Sequence, residues 1–161
     1  MLMLYINFTY ILGFVSPVRN QGGCGSCAAF AAVGAAESSL LKAGAAASTL
    51  DLAEQWLVDC KPEGANGCNG AQLPSYQRYM AAKDDLMHEN DRPYLGKTEF
   101  QCPNGKYWSP GYKITKAPVA WRPSDEQIMK HVMEFGATAV ALYASDKGFG
   151  HYKSGVFDKC K

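Results

Sequence analysis

Neither sign of charge dominates this sequence: sixteen lysines and arginines stand against fifteen aspartates and glutamates, for a formal net charge of +1. It has no Lys/Arg-rich run and no basic patch interleaved with aromatics, so the electrostatic footprint of a nucleic-acid binder is missing. Long apolar runs are missing too. The apolar start, Met1 to Phe14, is too short and too polar to span a membrane. It also lacks the positive n-region and small-residue cleavage site of a secretory leader, and it reads as a non-native start or a packed N-terminal strand. The sequon Asn7-Phe8-Thr9 sits so near the terminus that no glycan is expected there. Histidine is scarce, with three in 161 residues, and the cysteines include no second C-x-x-C and no H-x3-5-H partner. A zinc site is therefore not expected, and nothing else in the sequence asks for a metal or a cofactor. Internal repeats are absent, and the one biased tract is an Ala-rich stretch.

What is present describes a packed, soluble fold. The 47% hydrophobic and 19% charged fractions are those of globular proteins, which rules out disorder and fibrous structure. A chain of 161 residues accommodates one domain with a proper core or two small lobes sharing an interface. Six cysteines in that length are many for a reduced cytosolic protein and favour an oxidising biosynthetic route.

From Cys27 to Lys42 the sequence is rich in Ala and Leu, free of Pro, and followed by Gly44, which suits the position just past a helix end. Its many small residues let neighbouring backbone approach on almost every side, as in the centre of a lobe. Asp51 with Glu54 three residues later has the form of a capping box opening a short helix that ends near Cys60. Pro62, Gly64, Gly67 and Gly70 mark a loop, helical spacing resumes from Leu73 to Lys83, and residues 84–118 look mostly irregular. Ser124 and Gln127 form another capping box, for a helix that stops at Gly136. The apolar run from Ala137 to Ala144 leans towards strand, and Gly155-Val156-Phe157 starts another.

The most informative stretch is Gln21-Gly22-Gly23-Cys24-Gly25-Ser26-Cys27, a polar amide and a glycine-rich turn leading through cysteine into a helix. A thiolate at a helix N-terminus is stabilised by unpaired N–H groups and by the dipole, which raises the population of the nucleophilic form. A glutamine six residues earlier can fold back and, with the cysteine's own backbone N–H, stabilise a tetrahedral oxyanion. Together these are the parts of an acyl-transfer site.

This stretch resembles the papain and cathepsin signature C-G-(S/A)-C-(W/Y), with Cys27 at the nucleophile position. The likeness continues through Pro17-Val18-Arg19-Asn20, Phe30, Glu37, Leu52-Ala53-Glu54-Gln55, Leu57-Val58-Asp59-Cys60, Gly67-Cys68-Asn69-Gly70, Tyr94, Cys102 and Tyr152-Lys153-Ser154-Gly155-Val156-Phe157. It covers about residues 15–160 in the family's order. The resemblance implies an α+β, papain-like two-lobe fold. Residues 15–116 then form a nearly complete helical left lobe, residues 117–161 part of an antiparallel β-barrel right lobe, and residues 1–14 lie outside the family. It further implies peptide-bond hydrolysis through a Cys27 acyl-enzyme with Gln21 in the oxyanion hole. Asn69, Gly70 and Ala71 then bind the substrate backbone as an added strand, and Gln72, Leu73 and Ala141 line the pocket for the second residue before the cleaved bond. Extended polypeptides are the implied substrates, protein inhibitors of cysteine peptidases are further partners, and the parent enzyme is lysosomal or secreted. Disulfides carried over from the family pair Cys24 with Cys68 and Cys60 with Cys102, each worth about 4 kcal/mol by chain entropy, leaving Cys27 free and Cys160 unpaired.

Two positions depart from the pattern. Ala71 stands where the family has Gly, and Ala28 where it has Trp after the nucleophile. A third departure is larger: the family's catalytic histidine follows the nucleophile by roughly 130 residues or more, and no histidine follows His151. His88, His131 and His151 are read as surface or packing residues. The expectation is therefore a C-terminally truncated peptidase that is inactive and prone to aggregate. The rival reading is a catalytically inactive remnant that at most binds peptides or inhibitors. A thiol–disulfide oxidoreductase built on Cys24-Gly25-Ser26-Cys27 is disfavoured, because a thioredoxin-like fold needs an apolar strand where Ser16 to Gly23 is polar and glycine-rich.

Overall fold

The computed structural model describes residues 13–83, 86–99, 101–102, 113–142, 151 and 153–154. The sequon, the strand start at 155–157 and Cys160 lie outside the described residues. Among the described residues four α-helices follow one another: α1 (Cys27–Lys42), α2 (Glu54–Cys60), α3 (Leu73–Ala81) and α4 (Asp125–Phe135), with a 3-10 turn over Gly67–Asn69.

Helix α1 is the axis of the core. Ala28, Ala29, Ala32, Val33, Ala36, Leu40 and Leu41 are buried together with Leu52, Trp56, Leu57 and Val58 around α2, Tyr76 and Met80 of α3, and Leu86 and Met87. Small side chains let α2 and α3 lie close along α1, so an Ala-rich helix with no obvious polar face is buried along most of its length. Two disulfides pin the loops of this lobe: Cys24–Cys68 joins the stretch before α1 to the 3-10 turn, and Cys60–Cys102 joins the end of α2 to the segment after residue 100. Buried Gln55 and Asp59 hold the stretch before it, residues 92–99. Gln55 donates to the Lys97 carbonyl and accepts from the Leu95 N–H, while Asp59 accepts from Arg92 and from the Glu99 N–H.

The capping box read at Asp51 and Glu54 does not form. The Asp51 carboxylate is drawn into an ion pair with Arg19 at 2.7 Å, α2 opens at Glu54 with Ala53 as its N-cap, and the Glu54 side chain is buried. The second box does form: Ser124 Oγ accepts from the Gln127 N–H at 3.3 Å and Gln127 Oε1 accepts from the Ser124 N–H at 2.8 Å. Helix α4 ends at Gly136, whose φ of +98° and closeness to Ser38 leave no room for a side chain, since a Cβ there would lie 2.8 Å from Ser38 Oγ. The next N–H, of Ala137, donates to Ser38 Oγ, and Lys42 Nζ reaches the Met133 carbonyl, so α4 is docked on the far end of α1.

Among the described residues there are two isolated bridges, Leu52 with His88 and Ala65 with Ala71, and no strand. The strand read over 137–144 is not formed through residue 142, because no neighbouring segment among the described residues supplies a ladder partner. Trp121, Val119, Met129 and Met133 are exposed, an apolar surface on and just before α4. No described helix is long and apolar enough to cross a membrane.

Candidate active site

Cys27 is the first residue of α1 and a free thiol, half-buried. The N-cap, Ser26, does not cap. Its hydroxyl makes no bond to the first helical turn and instead meets the Tyr94 hydroxyl at 2.6 Å. The first turn also contains no acidic residue, so neither a hydroxyl nor a carboxylate of this helix competes for the N–H groups beside the thiol.

The loop before Cys27 is held from three directions. The Gln21 side-chain amide donates to the Cys24 carbonyl at 2.8 Å, the Tyr94 hydroxyl donates to the Gln21 carbonyl at 2.8 Å, and the Gly25 N–H donates to the Cys68 carbonyl at 2.9 Å. An amide nitrogen carries two hydrogens, so the bond to Cys24 fixes the Gln21 side chain and leaves its second N–H as a donor. Because Tyr94 donates to Gln21, its oxygen accepts from Ser26, and its ring stands edge-on against Phe30 at 4.8 Å. One tyrosine thus ties the residue before the nucleophile to the amide-bearing turn.

The Cys24–Cys68 disulfide and the Gly25–Cys68 bond bring the second loop alongside. Asn69 ends the 3-10 turn and Gly70 follows at φ +100°, with its carbonyl accepting from the Asn66 N–H. The side chains of Ala71 and Leu73 pack against the core, and Gln72 is exposed at the N-cap of α3. The structure therefore gathers Gln21, Cys27 and residues 69–73 into one neighbourhood. Ala141 is exposed in the irregular segment beyond α4.

None of the described histidines is bonded to Cys27. Asn90 donates its N–H to His88 Nδ1, which leaves Nε2 as the protonated nitrogen, donating to the Thr49 carbonyl at 2.9 Å. His88 lines a recess of about 610 Å³ with Arg19, Thr49, Asp51 and Asp91, and Cys27 is not among its lining residues. His131 meets Thr138 Oγ1 at 2.8 Å and packs on Phe135, where burial lowers its basicity. His151 is exposed.

Three features of this site had no role in the sequence reading: Gly25 as the contact between the two loops, Ser26 as a cap turned away from its helix, and Tyr94 as their common anchor. Tyr94 matched a family position, but its partners lie 68 and 73 residues away in the chain and no local pattern announces them. We expect Tyr94→Phe to cost about 1–3 kcal/mol, because it strands the buried Ser26 hydroxyl and the Gln21 carbonyl without a partner. Urea unfolding measures the loss; a midpoint equal to wild type would mean that the hydroxyl does not hold the loop.

Known proteins resemble this chain over most of its length. Residues 10–161 match the papain family cysteine protease profile. The chain is 34% identical over 149 residues to human cathepsin L2, covering 90% of this chain and 42% of that protein. It is 35% identical over 153 residues to cysteine proteinase 2 of Entamoeba histolytica, covering 92% and 47% respectively. The chain thus spans less than half the length of these relatives. The crystal structure of a cysteine protease of Carica candamarcensis in complex with E-64 superposes with a TM-score of 0.74 at 28% identity, covering 92% of this chain and 67% of that one. With its helical lobe, its bridged loops and the match over nearly its whole length, this chain belongs to the papain family of cysteine proteases and has the papain-like fold.

Proposed function

We propose that Cys27 is the nucleophile of a peptide-bond-hydrolysing site. The observation that carries this reading is a free thiol on an uncapped helix N-terminus, six residues after a glutamine whose amide is fixed beside the same turn. The thiolate attacks the substrate carbonyl, and the Gln21 Nε2–H and the Cys27 N–H receive the developing oxyanion. An imidazole then protonates the leaving amine, and water releases the acyl group. Asn69, Gly70 and Ala71 present backbone to an extended polypeptide, while Gln72, Leu73 and, from the second lobe, Ala141 form the neighbouring side-chain pocket. In this division residues 15–116 are the nucleophile lobe and residues 117–161 begin the second.

The E-64 complex of the Carica protease supports the same class of inhibitor for the parent enzyme here, with protein inhibitors of cysteine peptidases as further partners. The two disulfides and the likeness to cathepsin L2 support a lysosomal or secreted setting. A second reading has its own observation. Since no described histidine meets Cys27, the 161-residue chain alone has negligible turnover and acts at most as a peptide- or inhibitor-binding remnant.

The test combines two assays on the full chain. Mass spectrometry after limited iodoacetamide treatment is expected to find Cys27 modified faster than Cys160, and equal rates would count against an activated thiol. Hydrolysis of a denatured protein substrate that disappears in Cys27→Ala would establish the peptidase and dismiss the remnant. Selective labelling without hydrolysis would establish the remnant for this chain.

A further inference from the structure

The two donors assigned to the oxyanion, the Gln21 side-chain amide and the Cys27 backbone N–H, stand at opposite ends of one turn. Cys68 clamps Cys24 and Gly25 in the middle of it, and Gln21 lies upstream of that clamp. The Asn20–Gly22 and Gln21–Cys24 hydrogen bonds are internal to the turn. Among the described residues, the Tyr94 hydroxyl is the one hydrogen-bond partner from outside residues 20–26 that Gln21 has. That hydroxyl donates to the Gln21 carbonyl at 2.8 Å and accepts from Ser26 Oγ at 2.6 Å.

The Ser26 contact bears on the second donor. Ser26 is 1% exposed and has φ −94° and ψ 13°, away from the extended backbone that a capping serine adopts. Its ψ sets the plane of the Ser26–Cys27 peptide. The carbonyl of that peptide accepts from the Ala29 N–H at 2.8 Å and the Phe30 N–H at 3.2 Å, so in a trans unit the Cys27 N–H points the opposite way, out of the helix. A Ser26 hydroxyl freed from Tyr94 reaches the first-turn N–H groups only by swinging ψ into the extended region, and the Cys27 N–H turns with it. Tyr94 is itself anchored from behind. Its N–H donates to Glu89 Oε1 at 2.7 Å, the Leu95 N–H donates to buried Gln55 at 2.9 Å, and its ring stands edge-on to Phe30 of α1.

Resting on the assignment of Cys27 as nucleophile, we propose that Tyr94 is a positioning residue for the oxyanion site: its one hydroxyl holds the main chain of Gln21 and the side chain of Ser26, and so sets the direction of both N–H donors. It acts through those two residues and takes no part in the bond changes.

The test uses an acetylated dipeptide aldehyde on the full chain. The Cys27 sulfur bonds to the aldehyde carbon, the thiol proton passes to the aldehyde oxygen and nothing leaves, so the adduct is reversible and its oxygen occupies the oxyanion position. Iodoacetamide reacts at a saturated carbon and puts no oxygen there. Alkylation of Cys27, followed by mass spectrometry with and without aldehyde, reads both: the unprotected rate reports the thiol, and protection against aldehyde concentration gives a Kd. Tyr94→Phe is expected to raise that Kd about tenfold, less than loss of a donor outright, while the unprotected rate stays within about twofold of wild type. Ser26→Ala, which releases one of the two contacts, is expected to raise the Kd about threefold, and it decides the matter should Tyr94→Phe not fold. A Kd unmoved in the deciding variant, or aldehyde affinity and alkylation rate falling by the same factor, overturns the role of Tyr94 alone. Wild-type affinity for the aldehyde no better than that of N-acetylcysteine overturns the nucleophile-site reading and this role with it.

Discussion

Gly25→Ala is expected to lose about 3 kcal/mol of stability and most of the selective reactivity of Cys27. The reason is a contact between two backbones. A Cβ on Gly25 would lie 2.4 Å from the Cys68 carbonyl oxygen and 3.3 Å from its carbon, with the Gly70 nitrogen at 3.7 Å. Neither side can yield cheaply. Gly25 follows a disulfide-bonded cysteine and opposes that cysteine's partner, and its own N–H donates to the same Cys68 carbonyl at 2.9 Å. To admit a methyl group, the loop carrying Cys27 must move away from the loop carrying Asn69 and Gly70, breaking that bond and parting the thiol from the proposed substrate backbone site. Gly23→Ala is the matched control, since a Cβ there meets nothing within 4 Å, and it is expected to stay within about 0.5 kcal/mol of wild type. Urea unfolding and alkylation of Cys27, run side by side on the two variants, test the claim. Similar behaviour of both would show that the loops are not locked together.

The same contrast explains which parts of this molecule could be read from sequence. The bounds of α1 follow from composition: sixteen residues without Pro, dominated by good helix formers, ending just before a glycine. The start of α4 follows from a three-residue pattern whose two hydrogen bonds are both local. Asp51 and Glu54 present the same local pattern, but Arg19, distant in sequence, offers Asp51 an ion pair that a backbone N–H does not match, and burial takes Glu54. Through residue 142 the run from Ala137 forms no strand for a related reason, since among the described residues no segment pairs with it.

At the site, Cys27 and Gln21 were legible because motif and helix start coincide. Gly25 looked like one more glycine in a turn, and Tyr94 matched a family position with no local sign of what it holds. Their roles arise from partners brought near by the fold. Ala28, which stands where the family has a large ring, is itself buried, and the fully buried ring of Tyr76 belongs to the same core cluster.

The largest effect of pH on stability is expected from Glu54. It is 5% exposed, and burial first, then the neighbouring Glu37 and Glu89 carboxyls, raises it from 4.5 to about 8. Glu37 and Glu89 are raised too, each chiefly by burial, although Glu37 accepts the Leu52 N–H and Glu89 the Tyr94 N–H. Arg19 is the cation acting on all three carboxyls, and it is already paired with Asp51. Below pH 4.5 Glu54 is protonated in folded and unfolded chains alike, and the stability it permits is fully present. Between 4.5 and about 8 the unfolded chain releases this proton while the folded chain keeps it, so stability falls as pH rises and levels off above 8. At about 1.4 kcal/mol per pH unit the loss reaches at most about 5 kcal/mol, with Glu37 and Glu89 acting in the same direction. Urea midpoints are therefore expected to be higher at pH 5 than at pH 8, and Glu54→Gln, which keeps the shape and cannot ionise, is expected to remove the largest single part of that difference. A wild-type chain that grows more stable towards pH 8, or a Glu54→Gln chain with an undiminished slope, would show that this carboxyl is not the proton's seat.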